Sequence, residues 1–507
     1  MTVLPASPDL AGPASGKTCL GHPRGLATLF LTEMWERFSF YGMTALLVFY
    51  LISGGAAGAA AHLPGGGLGT SLATATAVYS VYSALVYLMT MPGGWIADRV
   101  WGARRTVAVG GAVITAGHFV LALPGMGGLM AGLALVAVGS GLLKANISAM
   151  VGHLYRDGDD ARRNGGFTIF YLGINIGGLA APLIVGTVGE TVSWRLAFVI
   201  SGVGMGLGLV QFLLGARHLS PEGDRVPHPL TRGERRTVGR RSLAVAVAAA
   251  AFYGAVVATG HYTLTWAMLP LTIAGLVIPV LVMVRMRRDR GLSRAERSRL
   301  GGYVWLFIGA AVFWMIYDQG GSTVLAFAKT NTAGQVAGFS VPGSWYQSLN
   351  PLFILALAPV FAWLWIRLAH RRREPSDPVK FSLGMIAIGA SLLLFLPALA
   401  MASGGHKVTP LWLVAIYLVQ TLGELTLSPV GLSATTRLAP QRYGSQMLGV
   451  WFLAVTAGDS VTGMLAMAHV DLSGFAAVAG EAAVALLAGL AIHRFRGRVN
   501  RLLAGTA

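Results

Sequence analysis

Charge is scarce in this chain. Asp, Glu, Lys and Arg make up 11% of its 507 residues, against roughly 25% in a soluble globular domain. With a mean hydropathy of +0.64, that scarcity excludes a water-soluble enzyme. It also excludes disorder, which needs low hydrophobicity. Cysteine is scarcer still: the single Cys19 cannot pair within the chain, which excludes a disulfide scaffold and fits a reducing compartment. Acidic residues number 20 against 38 basic ones, a net charge of +18. Such an excess suggests nucleic acid only if the basic residues cover a folded soluble face. The 11 His residues show no ligand spacing, so no metal is expected. His118 reads as a packing residue.

What fills the chain is apolar sequence. Runs long enough for a spanning helix, about 20 largely apolar residues, recur near 26–53, 72–97, 105–124, 128–153, 167–187, 194–216, 242–260, 264–284, 303–328, 344–369, 380–402, 410–436, 446–468 and 474–493. Fourteen runs predict an all-α polytopic membrane bundle; a transmembrane barrel would show short alternating strands. Apart from Arg37, Lys144, Arg195, Lys329 and Lys407, every basic residue falls in a terminal segment or an alternate connection. That is the positive-inside signature, and it places both termini in the cytoplasm. The positive charge is therefore topology, and no nucleic-acid partner is expected. Residues 1–24 lack a secretory apolar core and read as a mobile cytoplasmic tail. The Arg-rich 217–241 stretch is the strongest internal break. The two runs after it contain no Asp, Glu, Lys or Arg, so they read as a peripheral packing pair. The expected plan is a tail (1–24), a six-helix bundle (25–216), cytoplasmic loops with a two-helix insert (217–299), and a second six-helix bundle with its tail (300–507). Two similar halves are what many transporters require.

An ionisable residue at membrane depth costs at least ~2.5–3.5 kcal/mol, so each is a functional hypothesis. Here they are Glu33, Glu36, Arg37, Lys144, Asp318, Glu424 and Asp459. Glu33 lies one helical turn from both Glu36 and Arg37, so the three crowd one helix side. Two carboxylates beside one guanidinium cannot both be neutralised locally, which points to proton exchange; a snorkelling cluster at the interface is the alternative. Lys144 and Glu424 are isolated charges of opposite sign in separate halves. Each is the other's obvious candidate partner, either as a structural lock or as a substrate site. Asp459 is expected to bond Ser460 or Thr462, or else to line a pathway. Asp98 and Arg99 close the second run, as a conformational latch or as plain loop chemistry.

At these residues a resemblance becomes specific. Glu33-x-x-Glu36-Arg37 followed by Phe38-Ser39-Phe40-Tyr41-Gly42-Met43 resembles the signature of the proton-dependent oligopeptide transporter family, within the major facilitator superfamily. Gly93-Gly94-Trp95-Ile96-Ala97-Asp98-Arg99 with Gly102-Ala103-Arg104-Arg105 resembles the superfamily's loop motif. Phe170-Tyr171-Leu172-Gly173-Ile174-Asn175-Ile176-Gly177, Phe313-Trp314, Asp318-Gln319, Ser344 to Pro351, and Gly423-Glu424-Leu425 to Ser428-Pro429 follow in the family's order. The inserted pair resembles that of bacterial members. The resemblance implies a major facilitator fold in a bacterial inner membrane and a monomer in the lipid bilayer. It also implies proton-coupled uptake of di- and tripeptides, with no cofactor beyond the coupling proton. By that likeness Glu33, Glu36 and Arg37 carry coupling, and Arg37 and Lys144 hold the peptide carboxylate. Glu424, Asn350 and Asn175 hold the amine, and Tyr41, Tyr82, Trp314, Trp451 and Phe452 line side-chain pockets. Asp98, Arg99, Asp318, Lys144 and Glu424 belong to gates. One departure is Thr44, where members commonly carry a second Arg that pairs with the residue at Asp318; without it Asp318 either pairs with another cation or stays protonated part of the time.

The chemistry is coherent without the family. A zwitterionic peptide needs an anionic and a cationic site separated by one or two extended residues, ~3.3–3.6 Å each. Aromatic walls tolerate varied side chains. The main rival is a proton-coupled drug or metabolite exporter of the same superfamily. An anion carrier has no use for Glu424, and no nucleophile or metal constellation supports an enzyme.

Overall fold

The computed structural model describes residues 18–19, 21–54, 66–155, 159–336 and 338–505. Most of the tail expected over 1–24 lies outside the described residues; Thr18–Cys19 and His22–Pro23 pair as a minimal antiparallel hairpin. From Arg24 the structure is helical. The elements are α1 (Arg24–Ile52), α2 (Leu72–Leu88), α3 (Thr90–Ile96), α4 (Ala103–Leu121), α5 (Gly125–Gly152), α6 (Asp160–Ala181), α7 (Thr187–Thr191) and α8 (Trp194–Gly215). There follow α9 (Arg232–Ala258), α10 (Leu264–Arg288), α11 (Arg294–Tyr317), α12 (Thr323–Asn331), α13 (Leu349–His370), α14 (Asp377–Ser403), α15 (Leu411–Leu438), α16 (Gly444–Met467), α17 (Phe475–Arg494) and α18 (Arg496–Ala504). Backbone polar groups have no partner in hydrocarbon, so continuous helices are the available solution.

Among the described residues, twelve helical stretches are long and apolar enough to cross a membrane. α1 and α4 fall outside that set. α1 carries Glu33, Glu36 and Arg37, and α4 opens on Arg104 and Arg105. Two expected boundaries move. α9 begins at Arg232 rather than near 242, because the Thr231 and Glu234 side chains close a capping box and Arg is a good helix former. α11 begins at Arg294 in the same way, with Ser293 and Glu296.

Buried apolar side chains gather into two cores. One runs from Leu26 to Leu219 and takes in Met268, Leu325, Ala326, Ala466 and Leu472; the other runs from Met283 to Ile492. α2 packs along α16, and α6 along α13, where the two meet. α10 packs on both α2 and α16. Its buried positions, Met268, Thr272, Gly275, Pro279, Met283 and Met286, recur every three or four residues and so form one stripe. α9 buries nothing. The C-terminal end of α10 is tied down by Asp289, which accepts from Tyr443 Oη at 2.7 Å and pairs with Arg442 at 3.2 Å. The Tyr443 hydroxyl and the Gly291 amide hold the Asp289 carboxyl below its ordinary range.

The segment before α9 clamps the loop after α3. Arg104 pairs with Asp224 at 2.7 Å and Arg99 with Glu234 at 2.6 Å. The amide of His228 donates to Asp98 O. Asp98 and Arg99 are thus latched to the lead-in of the insert.

Glycine sets the closest helix approach. A Cβ on Gly93 would lie 2.1 Å from Gly141 O, and one on Gly141 would lie 2.3 Å from Met89 Cβ. Small residues at such crossings let backbones meet in a bilayer. Gly141→Val should therefore force α5 away from α3 and cost about 1–3 kcal/mol by overpacking. Thermal unfolding of the detergent-solubilised protein checks this; an unchanged midpoint would show that the crossing tolerates separation.

Candidate functional site

α1 places its charged residues on its buried side. Glu33 Oε1 lies 3.0 Å from Arg37 Nε, and Glu36 Oε2 lies 2.5 Å from Arg37 Nη2. All three residues are less than 5% exposed. Burial this deep excludes the snorkelling alternative, which needs the charged ends at the interface. Ser140 Oγ on α5 donates to Glu36 Oε1 at 3.4 Å. One turn further, Lys144 Nζ sits 3.9 Å from the Tyr87 ring centre and 5.7 Å from that of Phe40. Among the described residues it makes no hydrogen bond. It does lie in the field of Glu33, Glu36, Arg37 and Asp318.

Glu424 faces this cluster from the other core. Its Oε2 accepts from Tyr317 Oη at 2.6 Å and from Asn350 Nδ2 at 2.9 Å. Asn350 also reaches Thr421 Oγ1 at 3.1 Å. Tyr41 lies between the two groups and feels Arg37, Glu36, Glu424 and Asp318. Trp314 stacks edge-on to Tyr317 at 5.1 Å and leaves its Nε1 without a partner. Phe452 stacks on Tyr87 across the two cores at 5.8 Å.

Four expectations need correcting. Lys144 and Glu424 do not pair: the ammonium lies over the Tyr87 ring, while the neutral donors Tyr317 and Asn350 satisfy Glu424. Asp318 forms no bridge to a cation among the described residues, and its Oδ2 is buried without a hydrogen-bond partner. Asp459 Oδ2 is likewise buried without a hydrogen-bond partner, and neither Ser460 nor Thr462 bonds it among the described residues. The Thr462 hydroxyl donates to Met315 O and Gly458 O instead. Trp451 is 2% exposed and packs against Phe381 and Gly431, so in this conformation it belongs to the core. Tyr82 is equally buried, stacked on Phe40. Asn175 donates to Tyr171 O at 2.9 Å, and Tyr171 stands between it and Glu424.

Sequence reasoning missed Tyr87 and Tyr317. A signal existed: Tyr79, Ser83 and Tyr87 recur every four residues and form one polar stripe on α2. Tyr317 carried no comparable signal beyond its place beside Asp318.

At the end remote from the Arg-rich connections the two cores are joined. Glu190 Oε2 accepts from Lys329 Nζ at 2.5 Å, and its Oε1 from the Ser344 amide at 2.8 Å. Trp345 Nε1 donates to Thr187 Oγ1 at 2.8 Å, and Ser348 Oγ to Leu179 O at 2.8 Å. Neither Glu190 nor Lys329 was singled out in the sequence, because each lies in a connection between runs.

The chain matches the POT family over residues 104–478. It is 44% identical over 452 residues to the uncharacterized transporter YclF of Bacillus subtilis, covering 89% of each chain. It is 43% identical over 458 residues to a di-/tripeptide transporter of Lactococcus lactis subsp. cremoris, covering 89% of this chain and 90% of that one. A crystal structure of a mutant peptide transporter POT in complex with alafosfalin matches with a TM-score of 0.88 at 41% identity, over 97% of both chains. The all-α polytopic major facilitator fold expected from the sequence is the fold of that structure.

Glu190→Ala removes the acceptor that gathers Lys329 and the 343–344 amides. Loss of a charged hydrogen-bonding partner costs about 1.5–3 kcal/mol, so the closed end should loosen. Electron–electron resonance distances between spin labels on Thr191→Cys and Phe339→Cys, in a Cys19→Ser background, should broaden toward longer values. An unchanged distribution would show that apolar packing alone holds this end shut.

Proposed function

The chain belongs to the POT family, and from that premise we propose that it is a proton-coupled symporter importing di- and tripeptides by alternating access. One observation carries the reading. Lys144 has no hydrogen-bond partner among the described residues, and Glu424 is held only by neutral donors. Two charges of opposite sign, on opposite cores and not paired with one another, suit the two ends of a zwitterion. The peptide carboxylate goes to Lys144 and Arg37. The amine goes to Glu424, with Asn350, Tyr317 and Asn175 around it. Tyr41, Trp314 and Phe452 offer aromatic walls, and Tyr82 and Trp451 join them if the cores separate.

Coupling follows from the α1 cluster. Glu33 and Glu36 share one guanidinium. With both ionised they hold Arg37 firmly; a proton on either frees donors of Arg37 for the peptide carboxylate. One proton moved across 100 mV supplies about 2.3 kcal/mol, which at ~1.4 kcal/mol per decade allows roughly forty-fold accumulation. Asp98 and Arg99 act as a latch at one end, and Asp318 gates near the other. In this reading the molecule is a monomer in a bacterial inner membrane with both termini cytoplasmic. Residues 25–216 and 300–507 are the two moving halves, and 217–299 is an accessory insert after a tail over 1–24.

Proteoliposome uptake under an imposed proton gradient tests the reading. Labelled dialanine should accumulate, and Glu33→Gln or Glu36→Gln should lose accumulation far more than exchange. Wild-type accumulation in both variants would remove the coupling role. Competition tests terminus recognition. Acetyl-dialanine and dialanine amide should each compete roughly ten- to hundred-fold less well than dialanine, the effect of one charged hydrogen bond of about 1.5–3 kcal/mol. Equal competition by all three would mean that the termini are not read.

A further inference from the structure

Glu481 is an ionisable residue at membrane depth that stands outside both the α1 cluster and the Glu424 group. It lies on α17 and is 9% exposed. A carboxyl group buried so deeply is costly unless a donor satisfies it. Its Oε1 accepts from Gln319 Nε2 at 2.8 Å. Gln319 belongs to the short turn Asp318–Gly321 that separates α11 from α12. Gly320 and Gly321 interrupt the helix there, because glycine is a poor helix former. The Tyr417 hydroxyl of α15 donates to Gly320 O at 2.9 Å. A Cβ on Gly321 would lie 2.0 Å from Tyr79 Oη of α2. The turn is therefore held from several sides.

Gln319 also joins the two helices it separates. Its Nε2 donates to Met315 O of α11 at 3.2 Å, and its Oε1 accepts from Thr323 Oγ1 of α12 at 3.1 Å. A side-chain amide carries two N–H donors and one carbonyl. One donor and the carbonyl go to the flanking helices, and the second donor goes to Glu481. The Glu481 bond thus decides which way the amide faces. α17 is a firm place to anchor it, because α17 packs along α14, where a Cβ on Gly389 would lie 2.8 Å from Leu486 Cγ. Further along α12, Lys329 reaches Glu190 of the other half.

The geometry points to Glu481 as a positioning residue that orients the Gln319 clip between α11 and α12, and so sets the angle at which α12 presents Lys329 to Glu190. The inference rests on the alternating-access reading above and adds to it a residue of α17 that touches neither peptide nor gate. The Glu190 end can open only if α12 moves, and the turn at Asp318–Gly321 is where α12 meets the rest of its half. A clip with all three of its bonds made keeps α11 and α12 in one relation, so that α12 moves with its half. A clip without Glu481 leaves the amide free to turn, and α12 then swings by itself. Acceptance at Oε1 needs an oxygen and no charge, so a glutamine at position 481 can replace the glutamate.

Spin labels on Thr330→Cys and Ala476→Cys, both exposed, in a Cys19→Ser background of the full-length protein, read the position of α12 against α17. Electron–electron resonance distances should broaden in Glu481→Leu and keep the wild-type width in Glu481→Gln. A wild-type width in Glu481→Leu overturns the proposal, and so does equal broadening in both variants. If Glu481→Leu does not fold, Gln319→Leu removes the same bond from its donor side and should broaden the distances; a wild-type width there overturns the proposal. Dialanine uptake in proteoliposomes gives the second readout. In Glu481→Leu the maximal rate should fall about tenfold, the effect of one lost hydrogen bond to a charged group, and return in Glu481→Gln. The half-saturating concentration should move by less than about twofold, because Glu481 makes no contact with peptide. A raised half-saturating concentration at an unchanged rate would place Glu481 in the peptide site and overturn its positioning role. Absence of any uptake by the wild type would count against the proposed function alone, since the distance measurement needs no peptide.

Discussion

The arrangement of this protein follows from one constraint: charge buried in a bilayer must be balanced by nearby charge or held by hydrogen-bond donors. Glu33, Glu36, Arg37 and Lys144 sum to zero when all are ionised, and they are drawn from only two helices, α1 and α5. Ser140 and the Tyr87 and Phe40 rings complete the solvation that water would otherwise give. The balance is delicate by design of the parts. Any carboxylate arriving beside Lys144 changes the field at Glu33 and Glu36, and any proton arriving at either changes what Arg37 and Lys144 can hold. In the proposed mechanism, substrate and proton are linked through shared neighbours, without a mechanical relay.

Much of this could be read in the chain. The apolar runs and the one-sided placement of Arg and Lys gave the helices and their order, because the hydrocarbon thickness and backbone hydrogen bonding leave few options. The α1 triad was legible because its members lie within one helical turn. Partnerships between helices were not. Lys144 and Glu424 looked complementary as isolated charges, yet a Tyr face and two neutral donors proved nearer. Asp459 has hydroxyls beside it in sequence, but on a helix those point elsewhere, that of Thr462 to Met315 O and Gly458 O. Sequence spacing reports contacts along a helix; contacts across helices depend on rotation and depth, which it does not encode.

Two kinds of joint connect the cores. Near Glu190 the joint is ionic and polar, with an ammonium and two backbone amides converging on one carboxylate. Along α2 and α16 it is a long packed crossing with few polar contacts, among them that of the Thr456 hydroxyl with Ala84 O. The first has a large stake in a few atoms and breaks as a unit. The second can slide, since small residues and hydroxyls line it. A molecule closed at one end by a breakable joint and hinged along a sliding one has the mechanical parts that alternation between two faces needs.

α10 gives the insert a role of a different kind. Its single buried stripe lies against both α2 and α16, with Gly275 backed directly onto Ser460. Met268 belongs to one core, and Met283 and Met286 to the other. When the cores tilt, the groove between α2 and α16 opens sideways, toward the acyl chains. A lipid tail wedged there would hold the groove apart and bring hydrocarbon to the back of Asp459. α10 occupies that space in advance, so the transporter carries its own gasket against the membrane it works in.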